Sequence, residues 1–430
     1  METAGLVILN VLLLILAVVF SPLFWILVAI IGYQYVKMMR LKEYLFGVKD
    51  WSALRMTAAA FGLGIAGGLA GSLLSVLLGI TVPESGYLIL LAAAVLLMLI
   101  NPRFLCFSYA GGLLSVSALL WGYPAISVPH LMALVAVLHL IESLLIRISG
   151  HLDPLPVYTY TRFNRPAGGF NLQKFWPIPL VVMTVSLSGD VTHGIAMPEW
   201  WPLLKPPLEA GDAQDLLFGM VPAVVGLGYG EIALASTAYR RSRLSSRNLF
   251  IYSLALLGIS VAASYFSPLQ WAAALFAPLG HEVVIAVAQR QEMERSPCFV
   301  PPPRGVMLLD VLRPSPASRA GLVSGDVILE VEGIPVNSRQ ELEEMLRLFY
   351  GSLSVRFWRP PWEEGEEHAQ EKMRQGDAVW RESQVVRLER QGREPLGLIP
   401  VPGYGGEQYL DFRAPDYLGW LQRLLARWQR

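Results

Sequence analysis

Gly305-Val-Met-Leu-Leu-Asp-Val-Leu312, Ser315-Pro-Ala-Ser-Arg-Ala-Gly-Leu322 and Ser324-Gly-Asp-Val-Ile-Leu-Glu-Val-Glu-Gly333 follow one another in the last third of a 430-residue chain. The first is an apolar run of strand-forming residues. The second reads as a short helix stopped by Gly321, and the third as a turn, a strand and a turn. Ser338 then stands at a helix N-cap position, with Leu342, Met345, Leu346 and Phe349 recurring at the helical period behind it. The segment 352–358 reads as a closing strand. Upstream, Pro301-Pro302-Pro303 ends a linker that begins near Gln291.

This order, with SPAxxAGL and GDVIxxVxG in their places, resembles a PDZ domain over roughly residues 303–358. The resemblance implies structural roles for Gly325 and Asp326 in a turn and for Ala320-Gly321-Leu322 at a helix end. It also implies a function, because such domains bind a peptide as an added strand beside their second helix. A bound terminal carboxylate sits on the backbone N–H groups of a Gly-Leu-Gly-Phe-like loop. That loop should precede residue 305, but prolines 301–303 carry no N–H. Residues 383–390 read instead as a strand, Gln391-Gly392 as a turn, and Leu396-Gly397-Leu398-Ile399 as the missing loop and groove strand. The reading is a circularly permuted PDZ-like domain over 304–402, with a charged insertion at 360–382 read as a solvated loop. A truncated PDZ with an unrelated hairpin is the alternative. The expected peptide-binding residues are Leu396, Gly397, Leu398, Ile399, Met345, Phe349 and Leu342. Leu342 and Leu346 lean toward the core, Met345 and Phe349 toward the groove wall. Residues 403–430 form a tail whose apolar spacing suits an amphipathic helix, either on an anionic leaflet or docked on the PDZ domain.

Outward from this module, the composition changes. The chain is 54% hydrophobic and only 16% charged, with mean hydropathy +0.46, against about 25% charged in an ordinary soluble protein. Of 68 charges, residues 1–290 hold 29. This is a polytopic membrane domain, 1–290, joined by the linker 291–303 to the soluble module. Basic and acidic residues balance at 34 each, so no nucleic-acid footprint exists. Cys106 and Cys298 fit neither a disulfide framework nor a metal spacing. The first apolar run, from Leu6 to Val36, lacks a basic n-region and is not read as a cleavable signal peptide. Candidate spans are 22–37, 56–80, 87–101, 104–122, 128–147, 175–189, 216–238, 248–266 and 268–289. The expected fold is therefore an all-α bundle of seven to nine transmembrane helices followed by a small α+β domain.

Three basic segments read as cytoplasmic: Lys37–Arg55, Arg147–Lys174 and Arg240–Arg247. The stretch around 190–215, with Asp190, Glu199, Asp212 and Asp215, reads as external. The PDZ-like domain then falls in the cytoplasm of a multi-pass bacterial cell-membrane protein. His139, Glu142, Glu231, His281 and Glu282 are ionisable residues inside spans. His281-Glu282 invites comparison with the zinc motif His-Glu-x-x-His, but position 285 is Ile, so that helix offers no second ligand. The expectation is no catalytic set, no metal and no cofactor. Gly62, Gly64, Gly67, Gly68 and Gly71 read as a helix-packing stripe.

Phe20-Ser-Pro-Leu-Phe-Trp25, Ile31-Gly-Tyr33, Pro301–Gly305 and Leu396-Gly-Leu-Ile-Pro-Val-Pro402, on a many-span domain with one C-terminal PDZ, resemble the MinJ-type division-site topology proteins of Gram-positive bacteria. The resemblance implies a non-enzymatic bridge between a DivIVA-type curvature-sensing protein and the MinD-type division inhibitor. Membrane lipids and a second copy of the chain are further partners to expect. A PDZ-regulated intramembrane protease or its regulatory subunit, and a transporter with a regulatory PDZ, are the alternatives.

Overall fold

The computed structural model describes residues 2–46, 52–160, 165–187, 200–206, 216–349, 351–374, 382–390 and 394–403. The membrane half contributes α1 (Glu2–Val19), α2 (Pro22–Phe46), α3 (Ala53–Leu78), α4 (Glu84–Ile100), α5 (Phe107–Trp121), α6 (Val128–Ser149), α7 (Ala238–Tyr265) and α8 (Leu269–Glu294). Five of these, α2, α3, α6, α7 and α8, are long and apolar enough to cross a membrane; α1, α4 and α5 are shorter apolar helices. The break between α1 and α2 falls at Ser21-Pro22, as the proline predicts.

The expectation of an all-α bundle is corrected at two places. The candidate spans 175–189 and 216–238 are not helices. They belong to β2 (Pro166–Leu187) and β3 (Leu216–Ala233), which pair antiparallel, with β1 (Leu155–Tyr160) on the other side of β2. The cause is local. Pro177 and Pro179 interrupt any helix in the first segment, and Val181, Val182, Thr184 and Val185 favour an extended backbone. Gly226, Gly228 and Gly230 weaken a helix in the second. Hydropathy measures partition into lipid and is blind to that difference.

A strand at membrane depth must satisfy its backbone groups within the protein. β2 runs along α3, a candidate span, and its free edge can be followed residue by residue. Phe175 exchanges both of its backbone bonds with the Tyr35 hydroxyl, each at 3.1 Å. Positions 177 and 179 are proline and have no N–H to satisfy. The Val181 N–H donates to Ser72 Oγ at 2.9 Å, and the Met183 carbonyl accepts from the Val82 N–H at 2.8 Å. The glycine stripe of α3 serves this seam. Gly64 and Gly68 lie on the carbonyls of Pro177 and Pro179, whereas Gly67 and Gly71 face Ile141 of α6. The stripe read from sequence as helix–helix packing is thus shared between a strand and a helix.

The soluble half contains β4 (Val306–Val311), α9 (Pro316–Arg319), β5 (Val327–Val331), β6 (Ile334–Pro335), α10 (Arg339–Leu348), β7 (Ser352–Trp358), α11 (Glu366–Arg374), β8 (Gln384–Glu389) and β9 (Leu398–Pro400). Its sheet runs β8-β7-β5-β4-β9, with β6 on β5. β7 is interior and is not the closing strand; β8 covers it. β9, the last strand among the described residues, lies antiparallel to β4, first in the domain. Ser338 caps α10 as read from sequence, and Ser315 caps α9. Asp326 is buried and receives the Val323 N–H at 2.9 Å and both arms of Arg359, at 2.7 and 2.8 Å.

Two further readings change. The linker 291–303 is not free: Glu292, Cys298 and Phe299 are buried. Phe299 accepts from the Gly168 N–H at 2.7 Å, and Cys298 donates to Leu234 at 2.8 Å. The insertion is not a solvated loop over its described part. α11 buries Ala369 and Met373, Glu366 pairs with Arg240, and Gln370 donates to the Pro297 carbonyl. A charge run read as solvated becomes an interface because its carboxylate meets the basic N-terminus of α7. The two halves consequently share one core, in which Phe170, Phe299, Met307, Leu309, Leu329 and Trp358 take part. The acidic residues Asp190, Glu199, Asp212 and Asp215 and the tail 404–430 lie outside the described residues.

Candidate functional site

The peptide-binding expectation named four residues downstream and three on the helix. β9 pairs with β4 in the register Val311↔Leu398, Asp310↔Ile399 and Leu308↔Pro400. The Leu312 N–H donates to the Gly397 carbonyl and the Val401 N–H to the Met307 carbonyl, both at 2.9 Å. Residues 397, 399 and 401 therefore turn their backbone toward β4, and Leu398 turns its own outward. The Ile399 N–H accordingly faces the sheet and not a ligand.

Side chains alternate in the same way. Leu396 is buried in the PDZ core, with Leu398 packed against that core, whereas Ile399 and Val401 are buried in the core shared with the membrane half. On α10, Leu342 is 1% exposed and belongs to the core. Met345 and Leu346, with Phe349 at the helix C-cap, are half-buried against the same core. Leu346 thus shares the setting that the sequence assigned to Met345 and Phe349 alone. Gly397 has φ +79°, and a Cβ there would collide with Ser315. Its glycine is a backbone requirement of the loop.

Tyr158, from β1 of the membrane half, was not singled out by the sequence. Its hydroxyl donates to the Pro400 carbonyl at 2.7 Å, and its ring lies 5.9 Å from the guanidinium of Arg339 at the start of α10. Pro400 offers no N–H, and its carbonyl is engaged. The outward edge of β9 is closed at that end.

Between the halves lies a cavity of about 1540 Å³, lined among others by Lys42, Arg55, Arg147, Arg240, Arg243 and Arg247. Residues from all three basic segments converge there, on the side that carries the PDZ domain.

The intramembrane candidates separate into three groups. Glu231 pairs with the buried Arg241 at 2.8 Å and accepts from the Tyr229 hydroxyl at 3.1 Å. Glu282 pairs with Arg103 and accepts from the Tyr109 hydroxyl at 2.7 Å. His139 and His281 instead face Cys106, with Nε2 to Sγ separations of 3.1 and 3.7 Å. The missing second ligand was argued along one helix; the fold brings a second imidazole from α6 and a thiol from the N-terminus of α5. Nothing in a spacing of 33 or 175 residues announces that meeting.

The family described as PDZ domain matches residues 309–359. The chain is similar to the cell division topological determinant MinJ of Bacillus subtilis (strain 168). Identity is 26% over 200 residues, covering 46% of this chain and 47% of the relative. The matched region spans about half the length of that relative.

Proposed function

We propose that the chain is a non-enzymatic membrane adaptor in division-site selection, which captures protein partners through its PDZ groove on the cytoplasmic face. The observation that carries this reading is the edge strand β9, turned outward at Leu398, in a PDZ domain seated on a polytopic membrane domain. The similarity to a cell division topological determinant supports the process. The finer reading follows from the MinJ-type resemblance: the chain bridges a DivIVA-type protein and a MinD-type protein.

The groove is bounded by Leu396-Gly397-Leu398 on one side and by Met345, Leu346 and Phe349 on the other. Tyr158 at its far end favours a short C-terminal segment over a long added strand. Crosslinking in membranes followed by recovery of the full chain tests this. Met345→Glu is expected to cut recovery of the division partners at least about tenfold, as a charge placed in an apolar pocket should. Met345→Leu should restore it, and the melting of both variants should stay near that of the parent. Undiminished recovery with Met345→Glu would sink the assignment.

Orientation rests on the basic segments gathered beside the PDZ domain. A phosphatase active only outside the cytoplasm, fused after Arg430, is expected to be silent. Strong activity would overturn the topology and the adaptor role together.

A further inference from the structure

The structure assigns a transition-metal site to the interior of the helix bundle, and we propose that Cys106 Sγ, His139 Nε2 and His281 Nε2 bind one divalent ion of the zinc class. The three donor atoms lie within 4.8 Å of one another and come from three separate helices or their ends. In a tetrahedral zinc site, bonds of ~2.3 Å to sulfur and ~2.05 Å to nitrogen place S and N about 3.5 Å apart. The observed 3.1 and 3.7 Å bracket that separation.

Hydrogen accounting points the same way. The Tyr252 hydroxyl donates to the Ala277 carbonyl at 2.7 Å, which commits its only hydrogen. Ser108 Oγ, 2.8 Å from Tyr252 Oη, must then supply the hydrogen of that contact. His139 Nδ1 donates to the Val135 carbonyl at 2.7 Å. Each of these hydrogens points away from the cluster centre. With His139 neutral, its Nε2 lone pair and a lone pair of Ser108 Oγ face each other at 3.1 Å, two acceptors with no hydrogen between them. A thiol carries one hydrogen and cannot serve both imidazoles. A cation at the centre takes the Nε2 lone pairs of both imidazoles and the Cys106 sulfur. Metal ligation by histidine commonly comes with this arrangement, in which the far ring nitrogen donates to a backbone carbonyl. His281 Nδ1 has no such partner among the described residues; its ring is oriented instead by edge contacts with Tyr109 and Tyr252.

Thiolate with two imidazoles favours zinc, cobalt or copper over magnesium or calcium. Binding converts the Cys106 thiol to thiolate, and the proton leaves to solvent. Three protein ligands leave a fourth position. Glu142, one turn beyond His139 on α6, is within electrostatic reach of all three ligands. The inference concerns the bundle interior and is independent of the groove reading.

The test uses the full chain in detergent, stripped with chelator and titrated with Co²⁺ and then Zn²⁺. One equivalent is expected to bind, with a near-ultraviolet sulfur-to-cobalt band and the intense visible absorption of tetrahedral cobalt. The band reports Cys106, because Cys298 is not among the residues of the cluster. Cys106→Ser should abolish the sulfur band. His139→Asn and His281→Asn should each weaken binding by more than the ~10–100-fold that loss of an outer-shell partner brings. Cys106→His guards against misfolding: it should retain one equivalent and tetrahedral absorption without the sulfur band. Binding that is absent, weakly absorbing, or unchanged in all three ligand variants would overturn the site. So would alkylation of Cys106 at equal rates with and without Zn²⁺.

Discussion

Gly68→Leu is expected to abolish folding into the membrane, whereas Gly62→Leu, six residues earlier on the same helix, is expected to be tolerated. A Cβ at Gly68 would fall closer than 3.0 Å to the Pro179 carbonyl oxygen, nearer than real Cβ atoms approach, and nothing lies within 4 Å of one at Gly62. The obstacle is backbone, so no side chain can swing aside. Overpacking of an ordinary core costs about 1–3 kcal/mol. Here the alternative to the clash is separation of β2 from α3. That would also break the Ser72–Val181 bond and leave an N–H in an apolar setting, at several kcal/mol more. Against a total stability of roughly 5–15 kcal/mol, little remains. The measurement is the yield of monodisperse protein in mild detergent and its melting midpoint. Equal behaviour of the two variants would mean that the glycine stripe does not carry the hairpin.

The same seam explains what could and could not be read from the residues. The PDZ order was legible because its signals are local: a capping serine, a helix-stopping glycine and alternating strands each act within a few positions. Apolar runs were equally legible as membrane-embedded, but their secondary structure was not taken from the right signal. Pro177 and Pro179, two residues apart, put two side chains on the same face of a strand and remove two edge donors. That pattern pointed to a satisfied edge rather than a span. Tyr158 and Cys106 carry no local signal at all. Their partners, Pro400 in one case and His139 with His281 in the other, are reached only through the fold. The positive φ of Gly397 and its proximity to Ser315 likewise cannot be seen in one sequence.

Glu292→Ala is expected to loosen the PDZ domain from the membrane half, with a larger loss of stability than any surface charge change. Glu292 is 5% exposed in the last turn of α8. It accepts from the N–H groups of Leu234 and Ala235 at 2.9 and 2.8 Å and from the Ser236 hydroxyl at 2.6 Å. It also faces the Arg241 guanidinium at 3.4 Å, itself 2% exposed. Truncation strands two backbone donors and leaves Arg241 with the Glu231 carboxylate alone. Removing one partner of a buried ion pair costs about 3–5 kcal/mol. Glu292→Gln keeps a carbonyl for the two N–H groups but not the charge, so it should fall between alanine and the parent. Glu294→Ala is the control: its pair with Arg290 is exposed on both sides, and such pairs contribute about 0–1 kcal/mol. The consequence reaches the PDZ domain through Cys298, whose N–H holds the Leu234 carbonyl at 2.8 Å just beyond the network. With Leu234 released, the segment 295–303 loses its seat and becomes a substrate for limited proteolysis. The expected order of cleavage in this segment is Glu292→Ala, then Glu292→Gln, then Glu294→Ala with the parent, and melting midpoints should fall in the same order. Equal protection of Glu292→Ala and Glu294→Ala would mean that the PDZ domain is held by its apolar core with the membrane half alone, and that the carboxylate network only closes the end of α8.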